Sequence, residues 1–248
     1  MSRLWFDEAV LSGAGALSFD VSPGEHLSII GDVEGVGEAI AAALTGRAKL
    51  SSGRFGVGET EAGGRLADVR GTIRPQIGVL RPVLLAPANP DRSLLSAIEE
   101  PLLASAPRLD AAERREKAVS LLVQLGGAPG WIGLAPDQLP PFALQTAMLA
   151  RALIGQPGFL VAIDPLRALD PEEAAPLINT LQDLKGQGAL GILMIHQDFG
   201  RAGHMADRIQ ILHGGECVEA GPARTIRLSP THPYTRMLAN SVPGFASA

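Results

Sequence analysis

The chain has 248 residues, 46% of them hydrophobic and 19% charged, with slightly positive mean hydropathy, which excludes a disordered chain. A net charge of −5 argues against nucleic acid or an anionic membrane as the main partner. One cysteine, Cys217, excludes an internal disulfide and fits a reducing cytosol, and no uncharged apolar run approaches the roughly 20 residues that span a bilayer. The opening "MSRLWFDEAVLSGAG" has no sustained apolar stretch, so no signal peptide is expected, and any work at a membrane is expected to go through docking on another chain.

Residues 3–57 read as short strands broken by turns: "ALSFDV" (16–21) alternates, "SPGE" turns, and "HLSII" (26–30) is a short buried strand. A helix is expected over 36–45, ended by Gly46, and "SSGRFGV" leads into another strand. The glycine-rich stretch 58–76 reads as loop, and "QIGVLRPVLLA" as strand. From about 93 to 154 the pattern is helical, through "SLLSAIEEPLLAS", "DAAERREKAVSLLVQLGG" and "ALQTAMLARALIG". Strand signals return at "FLVAID" (159–164) and "LGILMIH" (190–196), with a helix, "PEEAAPLINTLQDLKGQG", between them. Alternating strands and helices imply an α/β protein with a mostly parallel sheet covered on both faces and a helical insertion.

Within this pattern "IIGDVEGVGEAIAAALTG" (29–46) is laid out as a strand, a glycine-bearing loop and an alanine-rich helix. That layout suits a phosphate, which needs backbone N–H groups around it, a lysine on its oxygens and a hydroxyl for Mg²⁺. Here Gly37, Glu38 and Ala39 stand where the lysine and hydroxyl belong.

"FLVAIDPLRALDP", "ADRIQILHGGECVEAGP" and "SPTHPYTRMLANSVP", with "PGE", "SSGRF" and "LARAL" at matching spacing, resemble the ATP-binding subunits of ABC transporters. The ending "HPYTRMLANSVP" is similar to the tail of the oligopeptide, dipeptide and nickel importer branch. The resemblance implies one P-loop NTPase-like ABC ATPase domain over 1–248, a mostly parallel core with an antiparallel β part. Its core lobe would cover about 1–87 and 155–225, its helical lobe about 88–154 and its tail about 226–248.

Carried over position by position, the family's three loop glycines fall on Gly31, Glu34 and Val36, its lysine on Gly37 and its metal-binding hydroxyl on Glu38. A shift by one residue aligns Gly35 and Gly37 with glycines but puts Glu38 in the lysine position. Neither register supplies the cation, and two like charges about 4 Å apart repel by roughly 4 kcal/mol at an effective dielectric near 20. The magnesium-organising aspartate aligns with Ile163, the catalytic glutamate with Asp164 and the switch histidine with Gln197. His196 lies one place early, on the opposite face of a strand; it reads as a packed histidine or as a displaced catalytic one. The glutamine between site and transporter would fall near Leu85. No aromatic residue aligns with the one that stacks on adenine, and Trp5 and Phe6 are expected in a core. The signature "LSGGQ" is replaced by "LPPFA": Pro140 and Pro141 lack N–H donors, Phe142 adds bulk, and Ala143 follows. "RALDP" keeps Asp170 of the loop that crosses the dimer interface in relatives.

The resemblance thus implies a degenerate subunit with no ATP or Mg²⁺ expected to bind, no metal site, and no ATP hydrolysis on its own. Its expected partners are an ATP-competent paralogous subunit and transmembrane permease subunits, placing it in the cytoplasm or at the cytoplasmic face of the inner membrane. The alternatives are a non-transport scaffold or regulator on the same fold, an ATPase with unconventional ligands, and a divalent-cation site formed by Asp32, Glu34, Glu38 and Asp164.

Overall fold

The apolar run at 26–30 forms β3 (His26–Gly31), buried along nearly its whole length. It lies between β8 (Gly191–His196) and β9 (Arg208–His213), both parallel to it. Beyond them come β10 (Glu216–Pro222) on one side and β7 (Phe159–Ile163) and β6 (Ile77–Leu80) on the other, giving the order β10-β9-β3-β8-β7-β6 with β10 antiparallel. Strands covered on both faces lose their polar alternation, which is why "FLVAI" and "GILMI" read as unbroken apolar runs. The computed structural model describes residues 2–11, 15–62, 65–83 and 93–242.

A second, antiparallel sheet orders β2 (Ala16–Val21), β1 (Leu4–Val10), β4 (Ser52–Val57) and β5 (Thr60–Glu61). On its inner face Phe6 stacks between Phe19 and Phe55, with ring centroids 4.7 and 5.2 Å apart. Trp5 does not join Phe6 in the core. Successive strand residues face opposite sides, so Trp5 is only half-buried on the outer face, where its Nε1 donates to the Gly58 carbonyl at 3.0 Å. Helix α1 (Val36–Leu44) buries Ile40, Ala41 and Leu44 in the core that joins this sheet to the parallel one.

The stretch 58–76 is not all loop. It holds β5, a helix α2 (Leu66–Thr72) and a 3₁₀ turn at Arg74–Gln76. Buried Val69 and Ile73, four apart, carry the helical face, which the surrounding glycines hide in the sequence. The strand expected through "QIGVLRPVLLA" stops at Leu80, two residues before a proline that has no N–H for a ladder. Residues 84–92, including Leu85, and the last residue of the quoted tail, Pro243, lie outside the described residues.

Helices α3 (Leu94–Ser105), α4 (Ala111–Gln124) and α5 (Pro141–Leu153) follow, as expected, and pack with α6 (Pro171–Gly186) into a second core against the other face of the parallel sheet. Capping boxes, Asp110 with Glu113 and Asp170 with Glu173, start α4 and α6. The short α7 (Phe199–Met205) had no clear signal; it packs with α8 (Ala223–Leu228) and α9 (Pro233–Asn240) over Ile30, Ile209 and Ile211. Two quoted motifs meet at the base of the sheet. Arg208 of "ADR" donates to Glu25 of "PGE" at 2.8 Å, while Asp207 accepts the His26 amide at 2.8 Å and Lys185 Nζ at 3.0 Å.

Candidate functional site

The chain leaves β3 at Gly31 in a left-handed conformation, φ 107°, turns again at Gly35, φ 75°, and enters α1. Strand, loop and helix therefore form as the sequence predicts. Several loop amides are already bonded within the fold: Asp32 N–H donates to the Leu212 carbonyl, Val33 N–H to Gly31 and Val36 N–H to Val33, at 2.9 to 3.0 Å. At Gly37 there is no room for a side chain, since a Cβ would lie 2.8 Å from Ile163 Cγ2 and 3.2 Å from Cγ1. The end of β7 thus presses a branched hydrocarbon onto the first turn of α1, where relatives are expected to carry a carboxylate and a lysine.

Glu38 is held by a cation of this same chain. Arg81, just past β6, grips its carboxylate in a two-pronged pair: Nε to Oε1 at 2.8 Å, Nε to Oε2 at 3.1 Å and Nη2 to Oε2 at 2.9 Å. The Arg81 carbonyl accepts from Nε2 of Gln145, a wholly buried residue of α5, at 3.0 Å. The entrance to α1 is therefore wired through Arg81 to the helical segment. Asp32 turns away from the loop. Its carboxylate accepts from the Gly214 amide at 3.0 Å and the Tyr234 hydroxyl at 3.0 Å and bonds His213 Nδ1 at 2.7 Å, and these contacts, the Gly214 amide first, hold it below the usual carboxylate range. His213 and Tyr234 stack at 3.9 Å.

Asp164 follows β7 with a left-handed backbone, φ 40°; its amide donates to the Ile195 carbonyl at 2.8 Å. Partial burial pushes its carboxyl up, against the opposing pull of Arg167 and a hydrogen bond from the Gln197 amide. With Gln197, Arg167 and Arg201 it lines a cavity of about 270 Å³. Gln197, just past β8, is exposed, whereas His196 is buried like every other residue of that strand. His196 Nε2 lies 3.2 Å from Ser28 Oγ, which lies 3.2 Å from His26 Nε2. His26 also donates to the Met205 carbonyl. The three side chains form one buried polar chain in which the imidazole tautomers set who donates to whom. Burial depresses both imidazoles to about 4, so both are neutral near pH 7.

Pro140 is the N-cap of α5 and Pro141 its first helical residue; both are exposed. Prolines are comfortable there, so the helix forms with no N–H donor at its N-cap or first helical position. Phe142 packs edge-on against Trp131, centroids 6.5 Å apart, and Ala143 is buried. Asp170 spends one carboxylate oxygen on the Glu173 amide at 2.8 Å as the cap of α6.

The structure thus gathers Gly31, Glu34, Val36, Gly37 and Glu38 at one loop, and Asp164 and Gln197 at one cavity. The acidic residues Asp32, Glu34, Glu38 and Asp164 do not converge: among the described residues no group of three or more His, Cys, Asp or Glu side chains could hold a metal ion. The groups at the loop do not fit a magnesium-bound polyphosphate: Gly37 offers no side chain and is backed by Ile163, and the Glu38 carboxylate is already held by Arg81. Sequence reasoning missed Arg81, His213 and Tyr234 as neighbours of the loop. They stand 43 to 202 residues from their partners, and no local pattern announces such pairs.

The fold is that of an ATP-binding cassette. The dimeric post-hydrolysis state of the cassette MJ0796 bound to ADP and Pi matches with a TM-score of 0.77, at 21% identity, over 90% of this chain and 99% of that one. A second dimeric structure of MJ0796 matches with a TM-score of 0.78 at 20% identity, over the same shares of both chains. In sequence, the di/tripeptide transport ATP-binding protein DppF of Pseudomonas aeruginosa is 30% identical over 241 residues, 97% of this chain and 74% of that protein. The oligopeptide transport ATP-binding protein OppF of Escherichia coli is 29% identical over 240 residues, 96% and 72% of the two chains. Residues 218–248 match the family described as the oligopeptide/dipeptide transporter, C-terminal region. The chain belongs to the ATP-binding subunits of the oligopeptide and dipeptide ABC transporters.

Proposed function

We propose that this chain is a pseudo-ATPase subunit of a peptide-type ABC importer, one that keeps the cassette's shape and has given up its nucleotide chemistry. The observation that carries the reading is the Glu38–Arg81 pair, which holds a carboxylate in the first turn of α1 bonded to an arginine of the same chain. The chain would pair with an ATP-competent paralogue and support transmembrane permease subunits from the cytoplasmic side, the α3–α5 segment acting as the helical lobe. Among the described residues no helix is long and apolar enough to cross a membrane.

Isothermal titration with Mg·ATP and Mg·ADP tests this, with no binding expected in the micromolar range; tight Mg²⁺-dependent binding would refute it. A second reading, a scaffold outside transport, draws support from Pro140, Pro141 and Phe142. A dimer that loses this chain's phosphate loop at one site loses its signature segment at the other, so an intact partner restores neither site in full. Co-purification of the native complex followed by mass spectrometry separates the two readings: permease subunits favour transport, and their absence favours the scaffold.

A further inference from the structure

At the end of α1 away from the phosphate loop, the surface changes sign. Residues 46–76 hold six cations against three carboxylates, a local +3 in a chain of net −5. Arg47 and Lys49 follow α1, Arg65 precedes α2, Arg70 lies on it and Arg74 follows it; all five are exposed. Among the described residues none of the five pairs with a carboxylate, although Arg70 Nε donates to the Gly46 carbonyl at 3.0 Å. Lys49 stands at a recess of about 170 Å³ whose apolar wall is made by Leu50, Phe55, Ala62, Leu66 and Val69, and whose one carboxylate, Glu61, is already paired with Arg54 at 3.5 Å. A recess of this size has room for one bulky side chain, its apolar end against Leu50, Leu66 and Val69.

We propose that this recess and its cationic rim form a docking site for an acidic segment of a partner protein, anchored by one bulky apolar side chain. A buried apolar anchor within a charged rim is the division of labour seen at protein interfaces, with the anchor supplying affinity and the charges supplying steering and register. A membrane surface suits the site less well, because it needs apolar side chains that project outward. Here the apolar groups line a concavity, and the exposed large apolar residues Leu103, Val123, Leu228 and Met237 sit on other elements. Single-stranded nucleic acid would need exposed aromatic faces, and Phe55 is buried. The site lies apart from the phosphate loop and does not depend on whether nucleotide binds.

The test uses a fluorescent peptide of Asp and Glu with one central Phe, read by anisotropy against the full chain. Saturable binding is expected, weakening with salt and falling by about fivefold or more with Lys49→Glu, Arg65→Glu or Phe→Ser in the peptide. Both protein substitutions are on exposed side chains, and unchanged circular dichroism and melting temperature confirm folding. Absence of binding overturns the proposal, as does equal affinity of the Phe and Ser peptides or of the variant proteins. Preferential binding to phosphatidylglycerol vesicles or to single-stranded DNA overturns it as well.

Discussion

The buried His26–Ser28–His196 chain makes the fold acid-sensitive in a defined window. Burial is the main cause of depression at both imidazoles. Asp207 and Lys185 act in opposite directions on His26, and Asp198 and Arg201 do the same on His196. Both groups bind protons less readily in the folded chain than in the unfolded one. Their neutral forms therefore cost nothing above pH 6.5, and stability falls as the pH drops from 6.5 toward 4. The gap from 6.5 to about 4 corresponds to about 3 kcal/mol per histidine at the acid limit, and to about 2 kcal/mol each at pH 5. Because protonating one imidazole further opposes protonation of its neighbour, both stay neutral in the folded chain and the two losses add to about 4 kcal/mol at pH 5, a large share of a domain's usual stability. Asp32 and Glu219 are depressed carboxylates whose stabilising effect is lost below this window, and the raised Asp164 carboxyl acts in the opposite direction, so the histidine part of urea unfolding between pH 7.5 and 5 is read against a variant that lacks both imidazoles. The double variant His26→Gln/His196→Gln should flatten the profile. Equal stability at pH 7.5 and 5, or an unchanged slope in the double variant, would refute the buried neutral pair.

Gly37→Ala should lower stability by about 1–3 kcal/mol through overpacking on Ile163, with most of that cost vanishing in an Ile163→Ala background, as thermal melts of the four proteins would show. For Glu38 and Arg81, which are 46% and 30% exposed at the side chain, a double-mutant cycle in urea should give about 0.5–1 kcal/mol of coupling that shrinks at high ionic strength. Asp32→Ala removes the acceptor for Tyr234 and Gly214; hydrogen exchange of α9 should then quicken roughly fivefold to tenfold, about one net hydrogen bond, while exchange in α4 stays unchanged.

What could be read from the sequence follows from how local each cause is. Continuous apolar runs announced β3, β7 and β8, because two covered faces leave no polar alternation. The prolines at the start of α5 were legible because a first helical turn tolerates them, and strand period put His196 on the face opposite Gln197, while its burial came from a strand covered on both faces. α2 was hidden because its two buried residues sit among glycines that signal turns, and Trp5 was misplaced because a half-period decides which of two adjacent aromatics enters the core. At the loop, the run Gly37, Glu38 and Ala39 was plain in the sequence. Arg81 was not, since only the three-dimensional meeting of β6 with α1 brings its guanidinium to Glu38.

The contact between Gly37 and Ile163 also bears on whether such a loop can be repaired. Introducing a lysine at 37 alone drives its Cβ into Ile163, and replacing Ile163 alone leaves a hole beside a buried strand end. Removing Glu38 alone strands the Arg81 guanidinium without its counter-charge. Each step toward a working phosphate site is unfavourable until the others are in place. The substitutions are therefore epistatic, and restoring the loop by single changes would have to cross a valley of less stable intermediates. If the chain is the pseudo-ATPase proposed above, the same interlock that holds the loop in shape works as a ratchet against a return to nucleotide chemistry.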